Sequence, residues 1–202
     1  MDSFKELSNS LNNLIESLQK LPGIGEKTAE RLALAILDSD KNDINNFISS
    51  LEGVRDKIRR CIKCHNITED EICFICKDKT RKTNILCVVE ESKNAVLFER
   101  VGSFKGVYHI LNGLISPLDG INPNDINIKS LIQRIKKEEI KEVILALKPS
   151  IEGETTALYI KKMLDGMNVL VSRIAQGVPL GADMEYIDMM TLEMALENRV
   201  EI

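Results

Sequence analysis

Two Cys-x-x-Cys pairs, Cys61 with Cys64 and Cys73 with Cys76, stand eight residues apart between regions of different hydrophobic periodicity. Each pair can turn tightly around an ion, and four soft thiolates suit one tetrahedral Zn²⁺. A catalytic zinc site keeps one coordination position open to water, whereas four thiolates close the shell. The spacing therefore predicts one structural zinc ion per chain; the alternative is four unrelated buried thiols. A fifth cysteine, Cys87, lies in the apolar run Ile85–Val89 and reads as a buried strand residue rather than a ligand.

A chain of 202 residues can bury a real core, as one large domain or two modest ones. The net charge of -4 argues weakly against a nucleic-acid binder, but it conceals a local excess of nine Arg/Lys over five Asp/Glu between Gly53 and Lys82. Arg55, Lys57, Arg59, Arg60 and Lys63 lead into the cysteines, and Lys77, Lys79, Arg81 and Lys82 follow them. Zinc with four thiolates carries a charge of about -2, so the basic residues serve either to offset the metal centre or to hold phosphate. Aromatic residues make up 4% of the chain and Trp is absent, which disfavours extensive base stacking and leaves backbone charge as the main handle on nucleic acid. Met1–Ser10 is polar and charged rather than signal-like, and no apolar run reaches membrane-spanning length. The expectation is a cytoplasmic protein, with no membrane partner, whose cysteines stay reduced.

Phe4, Leu7, Leu11, Leu14, Ile15 and Leu18 repeat at helical spacing. Leu21-Pro22-Gly23-Ile24-Gly25 breaks the pattern, and Thr28–Leu37 resumes it. The unit resembles the helix-hairpin-helix of DNA repair proteins, in which hairpin amides approach a phosphate without reading a base. That resemblance puts Lys20, Gly23, Gly25, Lys27 and Arg31 against DNA, with Ile24 anchoring the turn; the alternative is a helical packing device. A third helix is predicted over Asp43–Ile58, its Ile44, Phe47, Ile48, Leu51, Val54 and Ile58 packing on the first two.

After Arg81 the periodicity changes. Strands are predicted at Ile85–Val89, Val107–Leu111, Val143–Leu147 and Val169–Val171, and helices at Ala95–Val101, Ile126–Ile135, Thr155–Met163 and Tyr186–Asn198. This alternation predicts an α/β domain with a mostly parallel sheet. Glu90 and Glu91 fall at a strand end, and Glu152 and Glu154 follow a later one. Carboxylates at strand ends can converge on Mg²⁺; they can equally be solvated acids, with Glu152 and Glu154 favouring the start of a helix.

The order helix-hairpin-helix, four-cysteine knot, acidic strand end and Glu-Gly-Glu resembles the RecR family of bacterial recombination mediators. Leu21–Gly25, Cys61–Cys76, Tyr108–Gly120, Ile151–Ala157 and Val171–Tyr186 carry the resemblance, which extends over essentially the whole chain. It implies a helix-hairpin-helix with packing helix over 1–56, a four-Cys zinc finger over 57–80, a Toprim α/β domain over 81–174 and a C-terminal helical assembly segment over 175–202. Catalytic Toprim enzymes organise Mg²⁺ with a strand-end Glu and a later Asp-x-Asp-Arg-Glu-Gly element. Here Glu90 matches the first acid and Glu152-Gly153 remain, but Lys148 and Ser150 stand where the two Asp residues belong and Ile151 replaces the Arg. A cation and a neutral oxygen cannot build the same cage.

The resemblance thus implies no catalytic residue and a non-enzymatic mediator of recombinational repair. It would act with RecO, and with RecF in some bacteria, to load recombinase on gapped DNA, and would assemble as a dimer or tetrameric ring associated with the nucleoid during repair. Lys20, Lys27, Arg31, Arg59 and Arg60 form the DNA-facing set, while Glu90, Glu152 and Glu154 remain for a partner, a structural network or weak Mg²⁺ binding. Two alternatives stay open: a divergent Mg²⁺-dependent Toprim phosphoryl-transfer enzyme, and a protein-only scaffold whose DNA affinity resides in its partners. Arg173 can stabilise a carboxylate or an interface. No Gly-rich phosphate loop with a terminal Lys-Ser/Thr is present, so an ATPase is not expected.

Overall fold

The computed structural model of the chain describes residues 8–199, which divide into two units at Lys57 and Ile58. The stripe residues Phe4 and Leu7 lie outside the described residues.

In the first unit, α1 (Asn9–Gln19) starts at Ser8, whose hydroxyl accepts from the Leu11 amide. Leu21–Gly25 forms the hairpin, with Gly23 at φ +83°, a left-handed conformation that glycine adopts without steric cost. Helix α2 (Glu26–Leu37) follows. Its Ala29 and Ala33 are fully buried against Leu11, Leu14, Ile15, Leu18 and Ile24, because small residues four apart let the two helices approach closely. Ile24 thus anchors the turn as the sequence suggests. Helix α3 (Lys41–Lys57) departs from expectation. It buries none of its residues, and Phe47, Ile48, Leu51 and Val54 are all about half exposed or more. The cluster between α1 and α2 closes on Ile15, Ala29 and Ala33 with Leu11, Leu14, Leu18 and Ile24, and includes no residue of α3.

The second unit opens with the hairpin β1 (Arg59–Arg60) and β2 (Ile67–Thr68), followed by the one-turn helix α4 (Phe74–Lys77). Next come β3 (Ile85–Val89), α5 (Ser92–Val101), β4 (Val107–Ile110), α6 (Ile128–Lys137), β5 (Glu142–Ala146), α7 (Ile151–Leu164) and β6 (Leu170–Arg173). The four long strands pair in parallel in the order β4-β3-β5-β6. Strand alternation sorts the core into two faces. Leu86, Val88, Val143 and Leu145 meet α6 and α7 through Leu131, Ile132, Ile135 and Ile160. Cys87, Val89, Tyr108 and Ile110 meet α5 and, with it, Cys61, Cys64, Cys73 and Ile75. The cysteine knot therefore covers part of a sheet face that α/β folds ordinarily cover with a helix. Cys87 is buried in the strand as expected.

Two helical expectations are corrected. Helix α7 begins at Ile151 rather than Thr155, because Ser150 adopts an extended conformation and its hydroxyl accepts from the Gly153 amide. The tail helix α8 spans only Met189–Glu197; Tyr186 belongs to a 3-10 turn, Met184–Tyr186, and Asp188 caps α8 by accepting from Thr191. No residue of α8 is buried.

Candidate metal centre and nucleic-acid interface

The sulfurs of Cys61, Cys64, Cys73 and Cys76 all lie within 4.8 Å of one another, with Cys64 and Cys73 3.5 Å apart. Zn–S bonds of ~2.3 Å in tetrahedral geometry need sulfurs about 3.8 Å apart, so the cluster fits one Zn²⁺ with little adjustment. Three of the four residues are fully buried, Cys76 partly. The Cys73 amide donates to the Cys61 sulfur at 3.3 Å, a contact that favours thiolate. Hydrogen bonds from Cys64 and Cys76 hold the Cys73 thiol well below the usual range, while contact with Cys73 and burial push Cys64 and Cys76 up, so without a cation the cluster settles one negative charge on Cys73. Bound there, zinc would join the turn between β1 and β2, which carries Cys61 and Cys64, to α4, which carries Cys73 and Cys76; the chemistry it supplies is cross-linking. Among the described residues, this is the one group of three or more His, Cys, Asp or Glu side chains able to gather around a metal.

The knot is tied to the sheet on several sides. The Ile110 amide donates to the Cys64 carbonyl at 2.9 Å, His65 Nε2 lies 2.8 Å from the Ser130 hydroxyl, and Lys63 pairs with Glu138 at 3.1 Å. Arg81 pairs with Glu99 and donates to the Gly106 carbonyl, and the Tyr108 hydroxyl donates to Glu99 at 2.8 Å. Lys77 pairs with Asp70 at 2.7 Å. Lys63, Lys77 and Arg81 are therefore engaged by carboxylates of the protein. Arg59 and Arg60 are exposed, with Arg60 donating to the Ser92 hydroxyl at 3.2 Å.

In the first unit, Lys27 and Arg31 stand one turn apart on α2 and both are exposed; Lys20, at the end of α1, is exposed as well. Gly25 is the N-cap of α2 and has no side chain to satisfy the helix's first amides, so that terminus can accept an anion. A Cβ at Gly23 or Gly25 would meet nothing within 4 Å, so it is open space in front of the hairpin, rather than protein packing, that these positions face.

At the carboxyl edge of the sheet, Val89 lies opposite Ala146, which brings Glu90 and Lys148 out at the same edge. Glu90 is half-buried and its carbonyl accepts from Asn112 at 2.8 Å. Lys148 is exposed. Ser150, which the Toprim resemblance would set at an Asp position, caps α7. The Glu152 carboxyl is held below the usual range by its own amide and the Ser150 hydroxyl, with help from Lys148. Glu154 faces Arg173 of β6 at 3.2 Å, answering the expectation that Arg173 meets a carboxylate. The three acids are thus dispersed among a strand end, a helix cap and an ion pair. Gly153 is required by geometry, since a Cβ there would run into the Lys148 carbonyl.

Sequence reasoning passed over Ser92, Ser130 and Arg134. Ser92 is the first residue of α5, yet its hydroxyl accepts from Arg60 and from the Ile67 amide, 32 and 25 residues away. Arg134 is buried and donates to the Tyr108 carbonyl at 2.7 Å. No local pattern marks such long-range partners.

These parts define a class: a helix-hairpin-helix unit followed by a four-cysteine zinc module and a Toprim-type α/β domain. Family comparison matches the RecR helix-hairpin-helix to residues 11–55, the RecR four-cysteine zinc finger domain to 58–78, the Toprim domain to 84–175 and the RecR C-terminal region to 177–200. Proteins named "Recombination protein RecR" from Staphylococcus saprophyticus and Natranaerobius thermophilus are 47% and 46% identical over 192 residues, 95% of this chain and 97% and 96% of theirs. The chain belongs to the RecR family. Among the described residues, no helix is long and apolar enough to cross a membrane.

Proposed function

We propose that this chain is a non-catalytic DNA-binding mediator of recombinational repair that works with RecO, and with RecF where present, to load recombinase on gapped DNA. The observation that carries the reading is the face of α2: an N-terminus capped by a glycine, with the exposed cations Lys27 and Arg31 on the first two turns. Such a terminus binds a phosphate through amides and charge, independently of base sequence. Lys20, Gly23 and Gly25 belong to the same contact, while Arg59 and Arg60 supply a second basic element on the other unit. The exposed apolar residues of α3 and of the tail favour assembly into a dimer or ring, and several modest phosphate contacts then act together. The dispersal of Glu90, Glu152 and Glu154, with Lys148 between them in sequence, supports a partner-binding or structural role for these acids in place of phosphoryl transfer.

The test is an anisotropy titration of gapped DNA at several salt concentrations. Reversing Lys27 and Arg31 to Glu should weaken binding and reduce the salt slope by roughly two, with thermal stability unchanged. Unaltered binding would reject the α2 contact. Failure of the purified wild type to retain DNA at low salt, with binding restored by RecO, would transfer the DNA affinity to the partner. Mg²⁺-dependent cleavage or priming abolished by Glu90→Gln would make the protein an enzyme instead.

A further inference from the structure

The β1–β2 hairpin and the turn at the end of β3 meet at one hydroxyl. Ser92, 7% exposed, accepts from Arg60 Nη1 at 3.2 Å and, at 3.3 Å, from the Ile67 amide, which it shares with Asn66 Oδ1 at 2.9 Å. Arg60 and Ile67 are register partners across the hairpin, and the next rung inward joins the Cys61 amide to the Asn66 carbonyl at 2.8 Å. Cys61 and Cys64, two of the four candidate zinc ligands, lie within the turn that joins β1 to β2, Cys61 on that inner rung, so holding them also holds the outer rung beside it. On the other side, Ser92 is two residues beyond Glu90 and opens α5. The adjoining turn has its own local restraint, a capping box in which Glu91 and Asn94 bond each other's backbone amides. Between the hairpin and this turn runs a cleft of ≈ 460 Å³ whose walls include Arg60 and Ile67 on one side and Lys93 and Asn112 on the other. Ser92 lines the cleft as well, where the two walls meet.

We infer that Ser92 is a positioning residue that couples metal loading of the cysteine module to the acidic strand end, the Glu90–Asn94 turn being held in its folded shape through the hairpin that zinc fixes. Glu90 is not among the four residues that would hold the metal; the coupling would run from Cys61 and Cys64 through the Arg60–Ile67 rung to one buried hydroxyl. Removing either end of such a chain should loosen the other.

Amide hydrogen exchange on the full chain measures this directly. In the wild type, withdrawing zinc with a chelator should speed exchange at residues 91–95 about tenfold, the size expected for losing a buried hydroxyl's two bonds. In the zinc-loaded Ser92→Ala protein, residues 91–95 should already exchange faster by a similar factor, and residue 67, which keeps its bond to Asn66, by less. Its zinc content should stay at one per chain and α6 and α7 should remain protected. Ser92→Thr, which keeps the hydroxyl, should restore protection. Equal protection of the turn with and without zinc would overturn the coupling. So would a zinc-loaded Ser92→Ala protein indistinguishable from wild type, or one that loses its zinc. A threonine variant as loose as the alanine one would refute the role of the hydroxyl. Should chelation loosen α6 and α7 as well, the zinc-loaded Ser92→Ala protein alone decides: loosening confined to residues 67 and 91–95 supports the latch, and none rejects it.

Discussion

His109 is wholly buried in β4, 2.9 Å from the Asn127 carbonyl through Nε2 and edge-on to His65 at 5.1 Å. A carbonyl can only accept, so Nε2 carries a proton, and the buried Nδ1 has no hydrogen-bond partner among the described residues to stabilise a second one on the ring. Burial pushes its pKa down to about 3. The unfolded chain takes up this proton below about pH 6.5 while the folded chain does not, so stability is complete above that pH and is lost as pH falls toward 3. His109 should account for about 1.4 kcal/mol of unfolding free energy per pH unit across that window. Urea unfolding at pH 7, 6 and 5 should show a steeper decline for wild type than for His109→Gln, and parallel curves would refute it. The cysteines offer the other residue-scale test. Cys64→Ser or Cys73→Ser should drop zinc below one per chain by metal analysis and lower the unfolding temperature, because ligand loss removes folding free energy.

Helix α7 shows how an element can inherit the place of a catalytic motif and use it differently. Ser150 caps it and Gly153 admits the Lys148 carbonyl at close range. Ser150→Ala should cost about 1 kcal/mol, as cap removals do. Gly153→Ala should cost about 1–3 kcal/mol, because the added methyl meets backbone that cannot step aside; chemical denaturation measures both, and a neutral Gly153→Ala would contradict the close approach. The existence and kind of most elements are legible from periodicity: apolar residues every third or fourth position through α1, α2 and α6, and continuous apolar runs through β3 and β5. The start of α7 is not, because Pro149-Ser150 and the following acids look like a loop until the serine's extended backbone, set by the preceding strand, is known. The Glu-Gly-Glu element is visible as a signature, but the separate fates of Glu152 and Glu154 depend on Ser150 and on Arg173, which a neighbouring strand supplies.

At the scale of the whole molecule, apolar surface remains without a partner within the described chain. Leu51 and Val54 of α3 are 57% and 64% exposed, and Met189 and Met190 of α8 are 82% and 71% exposed. Scattered exposed apolar residues are ordinary, but rows along one helix mark contact surfaces. On the mediator reading, sedimentation should give a mass above that of one chain, rising with concentration, and Leu51→Glu with Val54→Glu should lower it while leaving zinc content unchanged. A wild type that sediments as a single chain at every concentration would reject assembly through these surfaces.

The sequence by itself determined the four-cysteine centre, the helix-hairpin-helix, the alternation of strand and helix, and the presence of Lys148 and Ser150 after β5. Each is written in local spacing or in the chemistry of one side chain, and needs no knowledge of distant partners. Only the tertiary structure decided that the cysteine knot serves as cover for one face of the sheet, that α3 buries none of its residues, and that Ser92 joins the knot to the acidic strand end. Those outcomes depend on contacts across 25 to 32 residues and on which helix faces meet in the buried cluster of α1 and α2. Burial is a property of the assembled surface, and a residue's neighbours in space leave no mark on its neighbours in sequence.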